Sequence, residues 1–351
     1  MGRLQDLYNN FKVDSDLPKN TDSNVLIIDG LNTFIRVFSA VPALNDDGQH
    51  VGGVVGFLKS IGSNIRQFQA TRCIVVFDGS GGSQRRRKIF DGYKSGRRNK
   101  PQSGFNRFDE FKDLVDEKES IKMQFARLIE YIDILPITLI CVDNIEADDT
   151  IAYIVKQYYD KSENKITIIS TDQDFLQLVD DRVKVYNPIK KIVFTPIQIR
   201  EKYLGILPEN FLLYRIMSGD SSDSIDGVKG VGLKTLIKRF PQLKSEKVEI
   251  EQLYELCGEP TKKPVKIFSD ILSNKEIISR NEKLMQLETV DISGHAKMNI
   301  INKMNAPITP TDVHKFKKLY VEDKLYANIK DVDLWLRDTF NKLNVYANRK
   351  I

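Results

Sequence analysis

Cysteine and histidine are scarce in this chain, with three of each among 351 residues. Cys73, Cys141 and Cys257 are odd in number and far apart, and two lie inside apolar runs. They read as small core residues in a reducing compartment. No CxxC pair occurs, and His50, His295 and His314 are scattered. Zinc sites and histidine-based catalysis are therefore disfavoured. Long apolar runs are missing too: no stretch approaches the roughly 18 residues of a membrane span. The N-terminus lacks a basic region followed by an apolar one, so export is not expected. Asp6 stands where a myristoylation signal wants Ser or Thr. A strong charge bias is absent as well. The formal net charge is only +5, and its distribution along the chain says more about partners than its sum.

What is present is an ordinary globular composition, 41% hydrophobic and 29% charged, long enough for one large domain or two modest ones. Four apolar runs read as strands: Val25–Ile28 ending at Asp29, a second ending at Asp78, Ile137–Val142, and Ile166–Ile169 ahead of "STDQDF". Helical patterns such as Val54–Phe68 and Ile121–Ile132 alternate with them, so βαβ units and a mainly parallel sheet are expected. Ligands of such sheets bind beyond the carboxyl ends of the strands. All four strands end there in acid: Asp29, Asp78, then Glu146, Asp148 and Asp149, then Asp172 and Asp174. Each acid alone is explained by a turn or a helix cap, and Asp172 could cap a helix starting near Gln173. Together on one rim they would repel one another unless a cation were present. Hard oxygen donors without His or Cys point to Mg²⁺ or Mn²⁺.

Two further stretches bear on ligands. In "MSGDSSDSIDGVKGVGLKTL", Asp220 and Asp223 stand three apart, which predicts one side of a helical turn. Gly227, Gly230 and Gly232 follow, then an amphipathic stretch with Lys234, Lys238 and Arg239. A helix–glycine turn–helix can offer backbone N–H groups to a phosphate, although a plain connector has the same look. Residues 85–100 hold Arg85, Arg86, Arg87, Lys88, Lys94, Arg97, Arg98 and Lys100 against one acid, Asp91, with Phe90 and Tyr93 interleaved. Cations beside an acid rim suit a polyanion held by one and cleaved at the other. A solvated charged helix is the plainer alternative.

These elements, in this order over roughly residues 24–290, resemble the 5′-nuclease family. Its members are flap endonucleases, the 5′-exonuclease domain of bacterial DNA polymerase I, and phage 5′-nucleases historically called RNase H. The matching stretches are "LIIDGLNTFIR", "VVFDG", "FDGYKSGR" with Arg86 upstream, "NIEADDTIA", "STDQDFLQL", "MSGDSSDSIDGVKGVGLKTL" and "SRNEKLMQL". The phrasing around "STDQDFLQL" is most similar to the T4-type phage members. The resemblance implies an α/β fold of the PIN-like 5′-nuclease kind, with a central mostly parallel sheet flanked by helices. It also implies a helical arch at about 83–120 and a helix-three-turn-helix at about 208–240. The nuclease domain would span 24–300, between a polar extension (1–23) and a C-terminal helical extension (301–351). "WLRDTFNKLNV" within the latter is expected to pack on the core, with a replication-partner contact as its alternative.

By position, the resemblance assigns Asp29, Asp78, Glu146 and Asp148 to a first Mg²⁺, with Asp149 close behind. Asp172, Asp174, Asp220 and Asp223 fall to a second, directly or through water, and Mn²⁺ is the expected substitute. Lys94 and Arg97 would act on the scissile phosphate, with Arg86 and Tyr93 beside them in the arch motif. Gly227, Val228, Gly230, Gly232 and Lys234 would grip duplex DNA, with a K⁺ ion at the turn as a further implication. The expected substrates are DNA with 5′ flaps, nicks or free 5′ ends, and RNA–DNA hybrids. A monomer in the cytoplasm (the host's, if phage-encoded) is implied, with a single-strand-binding protein or clamp among the partners considered. A non-catalytic branched-DNA binder and a single-strand RNA endonuclease remain the alternative readings.

Overall fold

A computed structural model describes residues 23–97, 114–160, 163–259 and 265–347. The expected N-terminal extension, the middle of the expected arch and Arg98 and Lys100 lie outside the described residues. Six strands form the main sheet: β1 (Asn24–Asp29), β2 (Arg72–Asp78), β3 (Thr138–Val142), β4 (Lys165–Ile169), β5 (Val183–Asn187) and β6 (Ile192–Phe194), in the order β3-β2-β1-β4-β5-β6. All pairs are parallel except β5–β6. The sheet runs outward from β1 to β3, then returns to β4 on the other side of β1. That reversal opens a crevice at the carboxyl ends of β1 and β4, where such sheets bind ligands.

Alternation along β1 feeds two cores. Val25 and Ile27 join Ile74, Ile140 and Ile168 on one face, while Leu26 and Ile28 join Val75, Phe77 and Ile169 on the other. Burial on both faces is why these strands read as continuous apolar runs. Helices α1 (Gly30–Ala40), α2 (Gly52–Gln67), α3 (Gln84–Ile89), α4 (Leu114–Asp133) and α5 (Ala147–Tyr153) follow in the first half. The second half adds α6 (Pro196–Lys202), α7 (Phe211–Ser218), α8 (Leu233–Arg239), α9 (Ile250–Gly258), α10 (Lys266–Ser273) and α11 (Lys275–Met285). Last come α12 (Gly294–Asn305), α13 (Val313–Glu322) and α14 (Val332–Ala347). No helix among the described residues is long and apolar enough to cross a membrane.

The boundary expected at residue 300 falls inside α12, and the helices beyond it pack on the core, the use expected of "WLRDTFNKLNV". Phe316, Tyr320, Leu336, Phe340 and Leu343 belong to the same core as Leu26 and Ile28. Arg66 also donates to Thr339 Oγ1 at 2.7 Å, tying α2 to α14. One expectation needs correction: Asp220 and Asp223 do not share a helical turn. α7 stops at Ser218, and a small hairpin follows, made by β7 (Gly219–Asp220) and β8 (Ile225–Asp226). Gly219 adopts φ +71°, and a Cβ there would lie 2.4 Å from Gly227 N, so the chain reverses where only glycine fits. Asp223 sits in the reversal, its N–H donating to Asp220 O at 3.2 Å.

Candidate active site

The crevice is a cleft of about 940 Å³, and seven carboxylates line it: Asp29, Asp78, Glu146, Asp148, Asp172, Asp174 and Asp223. Tyr93 and Lys94 line it as well. Each acid is fixed by local structure. Asp29 caps α1, accepting from Asn32 N at 3.3 Å with one oxygen and from Ser170 Oγ at 2.9 Å with the other. Asp78, at the end of β2, accepts from Ala147 N at 2.9 Å and so caps α5. Asp172 accepts from Asp174 N at 2.9 Å, closing a turn just ahead of the short 3₁₀ helix Asp174–Leu178. Capping and lining the cleft are thus not alternatives here, because a carboxylate has a second oxygen to offer.

Burial sets the electrostatics. It pushes the Asp29 carboxyl up to about 7, with Asp78 and Asp172 adding repulsion against the Ser170 hydrogen bond. Asp174 is pushed up to about 7 by burial and by Asp172. Burial raises Asp78 and Asp172 too. Asp148 is the exception, since Arg86 and Lys94 overcome its burial and hold it below the ordinary carboxylate range. Repelling, buried carboxylates with ordinary proton affinities lost are what a divalent cation would relieve. Glu146, Asp148 and Asp149 can place ligand oxygens within 4.8 Å of one another. The donor set, all oxygen, fits a hard cation.

Several expected site residues lie elsewhere than the cleft surface. Arg86, expected at DNA, is 1% exposed and lies beneath the acids. It bonds to Glu146, reaches Asp148 and Asp149 at 3.1 Å, and donates to Leu284 O at 2.8 Å. Tyr93 reaches the cleft wall but is otherwise buried, its hydroxyl 3.4 Å from Glu146. Asp149 faces Arg85 and Arg86 rather than the cleft, and burial together with Asp148 pushes it up to about 6. Asp220 is paired with Arg215 outside the lining. Lys94 bonds to Glu146, adopts φ +56°, and its N–H donates to Asp223 O at 2.9 Å. The backbone of Arg97 ends a 3₁₀ turn, Ser95–Arg97, that leans on the hairpin, with Gly96 N 3.4 Å from Ser224 Oγ.

At the glycine turn, Gly227 packs so closely that a Cβ would meet Ser218 C at 2.3 Å, and Val228 is buried. Gly230 has φ +81°. Gly232 caps α8 at φ −94° in open space, and Lys234 lies in the first turn of that helix. Sequence reasoning missed Arg85 as an acid partner and Arg215 altogether. Asp149 lies 64 residues from Arg85 and Asp174 lies 41 from Arg215, beyond any local spacing signal, and Asp220, five residues after Arg215, gave none by itself.

Comparison with known proteins gives the family and the fold. The family model of the 5′-3′ exonuclease N-terminal, resolvase-like domain matches residues 24–204. Thermostable DNA polymerase I of Thermus thermophilus is 31% identical over 270 residues, covering 77% of this chain but 30% of the polymerase. The chain therefore spans about a third or less of such polymerases. The 5′-3′ exonuclease of Buchnera aphidicola subsp. Schizaphis graminum is 29% identical over 245 residues, covering 68% of this chain and 78% of that protein. Among solved structures, bacteriophage T5 flap endonuclease in a pseudo-enzyme–product complex with DNA and metal ions superposes with a TM-score of 0.58 at 20% identity. That match covers 86% of this chain and 99% of the other, and it shows a shared fold.

Proposed function

Since the chain belongs to the 5′-3′ exonuclease family of 5′-nucleases, we propose that it hydrolyses phosphodiesters near free 5′ ends of DNA, as exonuclease and flap endonuclease, with Mg²⁺. The observation that carries this reading is the cleft in which Asp29, Asp78, Glu146, Asp148, Asp172, Asp174 and Asp223 converge beside Lys94. A DNA-binding module without turnover gains nothing from a rim of acids, which repels phosphate.

Asp29, Asp78, Glu146 and Asp148 would hold one cation and Asp172, Asp174 and Asp223 the other. Bound there, such a pair would supply an activated water and charge stabilisation at the leaving 3′ oxygen. The chain's own groups do the rest. Lys94, reaching the cleft from a left-handed backbone position, neutralises charge developing on the phosphate, and Arg97 is assigned the same task. Arg86 and Arg85 hold Glu146, Asp148 and Asp149 in place from below. Gly227, Val228, Gly230, Gly232 and Lys234 would seat the duplex, with N–H groups of the turn and the start of α8 toward its phosphates. A labelled panel of flap, nicked, gapped and RNA–DNA hybrid substrates, run with Mg²⁺ and with chelator, tests the proposal. Mg²⁺-dependent release from the 5′ end is expected. Tight flap binding with no product in any cation would return the chain to the branched-DNA binder.

A further inference from the structure

Arg215 belongs to none of the motifs above, yet it sits behind the second group of acids. It projects from α7, is 7% exposed, and is not among the residues that line the cleft. Its Nε donates to Asp174 Oδ1 at 2.8 Å, and its Nη2 donates to Asp220 Oδ2 at 2.5 Å. The two acids arrive from different elements. Asp174 opens the 3₁₀ helix after β4, whereas Asp220 is brought back against α7 by the reversal at Gly219. One planar guanidinium spans both, which a lysine ammonium, as a point charge, cannot do with the same geometry.

The remaining oxygens show what this arrangement leaves over. Asp220 Oδ1 accepts from both Ser222 N and Ser222 Oγ at 2.7 Å, so protein donors engage both of its oxygens. Asp174 keeps Oδ2, and Asp172 keeps the oxygen not bonded to Asp174 N. We infer that Arg215 is the positioning residue of the second carboxylate group: it orients Asp174 Oδ2 into the cleft and draws Asp220 away from it. Three carboxylates, Asp172, Asp174 and Asp223, then face that part of the cleft, and Asp220 acts on it only through Arg215. This rests on the reading of the cleft as a divalent-cation site. Without the guanidinium, Asp174 and Asp220 would be two half-buried acids that have lost their shared counter-ion, free to turn apart.

Mn²⁺ binding to the full-length protein without DNA, followed by electron paramagnetic resonance, tests the inference apart from turnover. Wild-type protein is expected to show a tighter and a weaker class of site. Arg215→Gln should weaken the weaker class by roughly 10–100-fold, the usual scale for losing a group that orients a ligand, and leave the tighter class within about twofold. Arg215→Lys keeps the charge but not the fork and should fall between; it decides the matter if Arg215→Gln does not fold. Asp220→Asn should weaken the same class no more than Arg215→Gln does. An Arg215→Gln isotherm matching wild type, with only the melting temperature lowered, would reduce Arg215 to a packing contact and overturn the inference. So would Arg215→Lys binding Mn²⁺ as wild type does. Wild-type protein that binds no Mn²⁺ would overturn the cation reading of the cleft itself, and this inference with it.

Discussion

Arg85 has 28% of its side chain exposed, yet its Nη2 lies 2.9 and 2.8 Å from the two oxygens of Asp149. Its charge is already engaged inside the protein, which changes what its removal should do. A basic run reads from sequence as a phosphate contact, for which Arg85→Ala would flatten the salt dependence of binding by about one unit. In this structure Arg85→Ala should leave that slope unchanged and lower the single-turnover rate, because Asp149 and through it Arg86 lose their support. A flattened slope with an unchanged rate would contradict the pairing. Lys94 is the opposite case. Lys94→Ala should cut the single-turnover rate by roughly 10²–10³-fold with little change in Kd, as for one lost electrostatic stabiliser. Loss of affinity alone would make it a clamp. Six of the seven acids of the cleft were legible because they follow apolar strands; Asp223, in the hairpin, was legible only from its motif. The pairing of Arg85 and Arg86 was not legible, because adjacent arginines in a run look alike until the fold buries one and leaves its neighbour half exposed.

At the scale of elements, the strand ends and the βαβ order were readable from periodicity, with Asn24–Asp29 and Lys165–Ile169 falling where apolar runs meet acids. The hairpin at 219–226 was not readable. A three-residue acid spacing suits a helix as well as a tight reversal, and the deciding fact is the positive φ of Gly219. The glycine turn behind it divides into two kinds of position. Gly227→Ala should lower the melting temperature and the yield of folded protein, since its Cβ would collide with the Ser218 backbone. Gly232→Ala meets nothing within 4 Å and should fold as wild type. If the start of α8 approaches duplex phosphates, Gly232→Ala should nevertheless weaken duplex binding and spare single strands. Equal affinity on both substrates would remove that approach.

Across the whole molecule, stability links the C-terminal helices to the cleft. Phe340 is fully buried in the core that includes Leu26 and Ile28, so Phe340→Ala should cost about 3–5 kcal/mol, measurable by denaturant unfolding. A near-zero cost would contradict that packing. The cleft contributes in the other direction. Asp29 and Asp174 are raised from 3.8 to about 7, so between those values the unfolded chain gives up protons that the folded chain keeps. Their contribution is fully present below about pH 4 and is lost as pH rises toward 7. Mg²⁺ should reverse this loss, its stabilisation growing from pH 5 to 8 and reaching about 2.7 kcal/mol at 100 times its Kd. Melting curves with and without Mg²⁺ check it, and a shift independent of pH would contradict it.

The central claim is that the strand-end acids carry chemistry rather than only shape the loops. Asp174 tests it most directly, because it lines the cleft, belongs to the Asp172–Asp174 pair, and is held by Arg215. Single-turnover cleavage of a 5′-labelled flap duplex in Mg²⁺ should be abolished in Asp174→Asn, while flap binding in Ca²⁺ stays within a few fold of wild type or tightens as negative charge is removed. Cleavage by Asp174→Asn at the wild-type rate would return this pair to turn-making and remove the basis for the proposed mechanism.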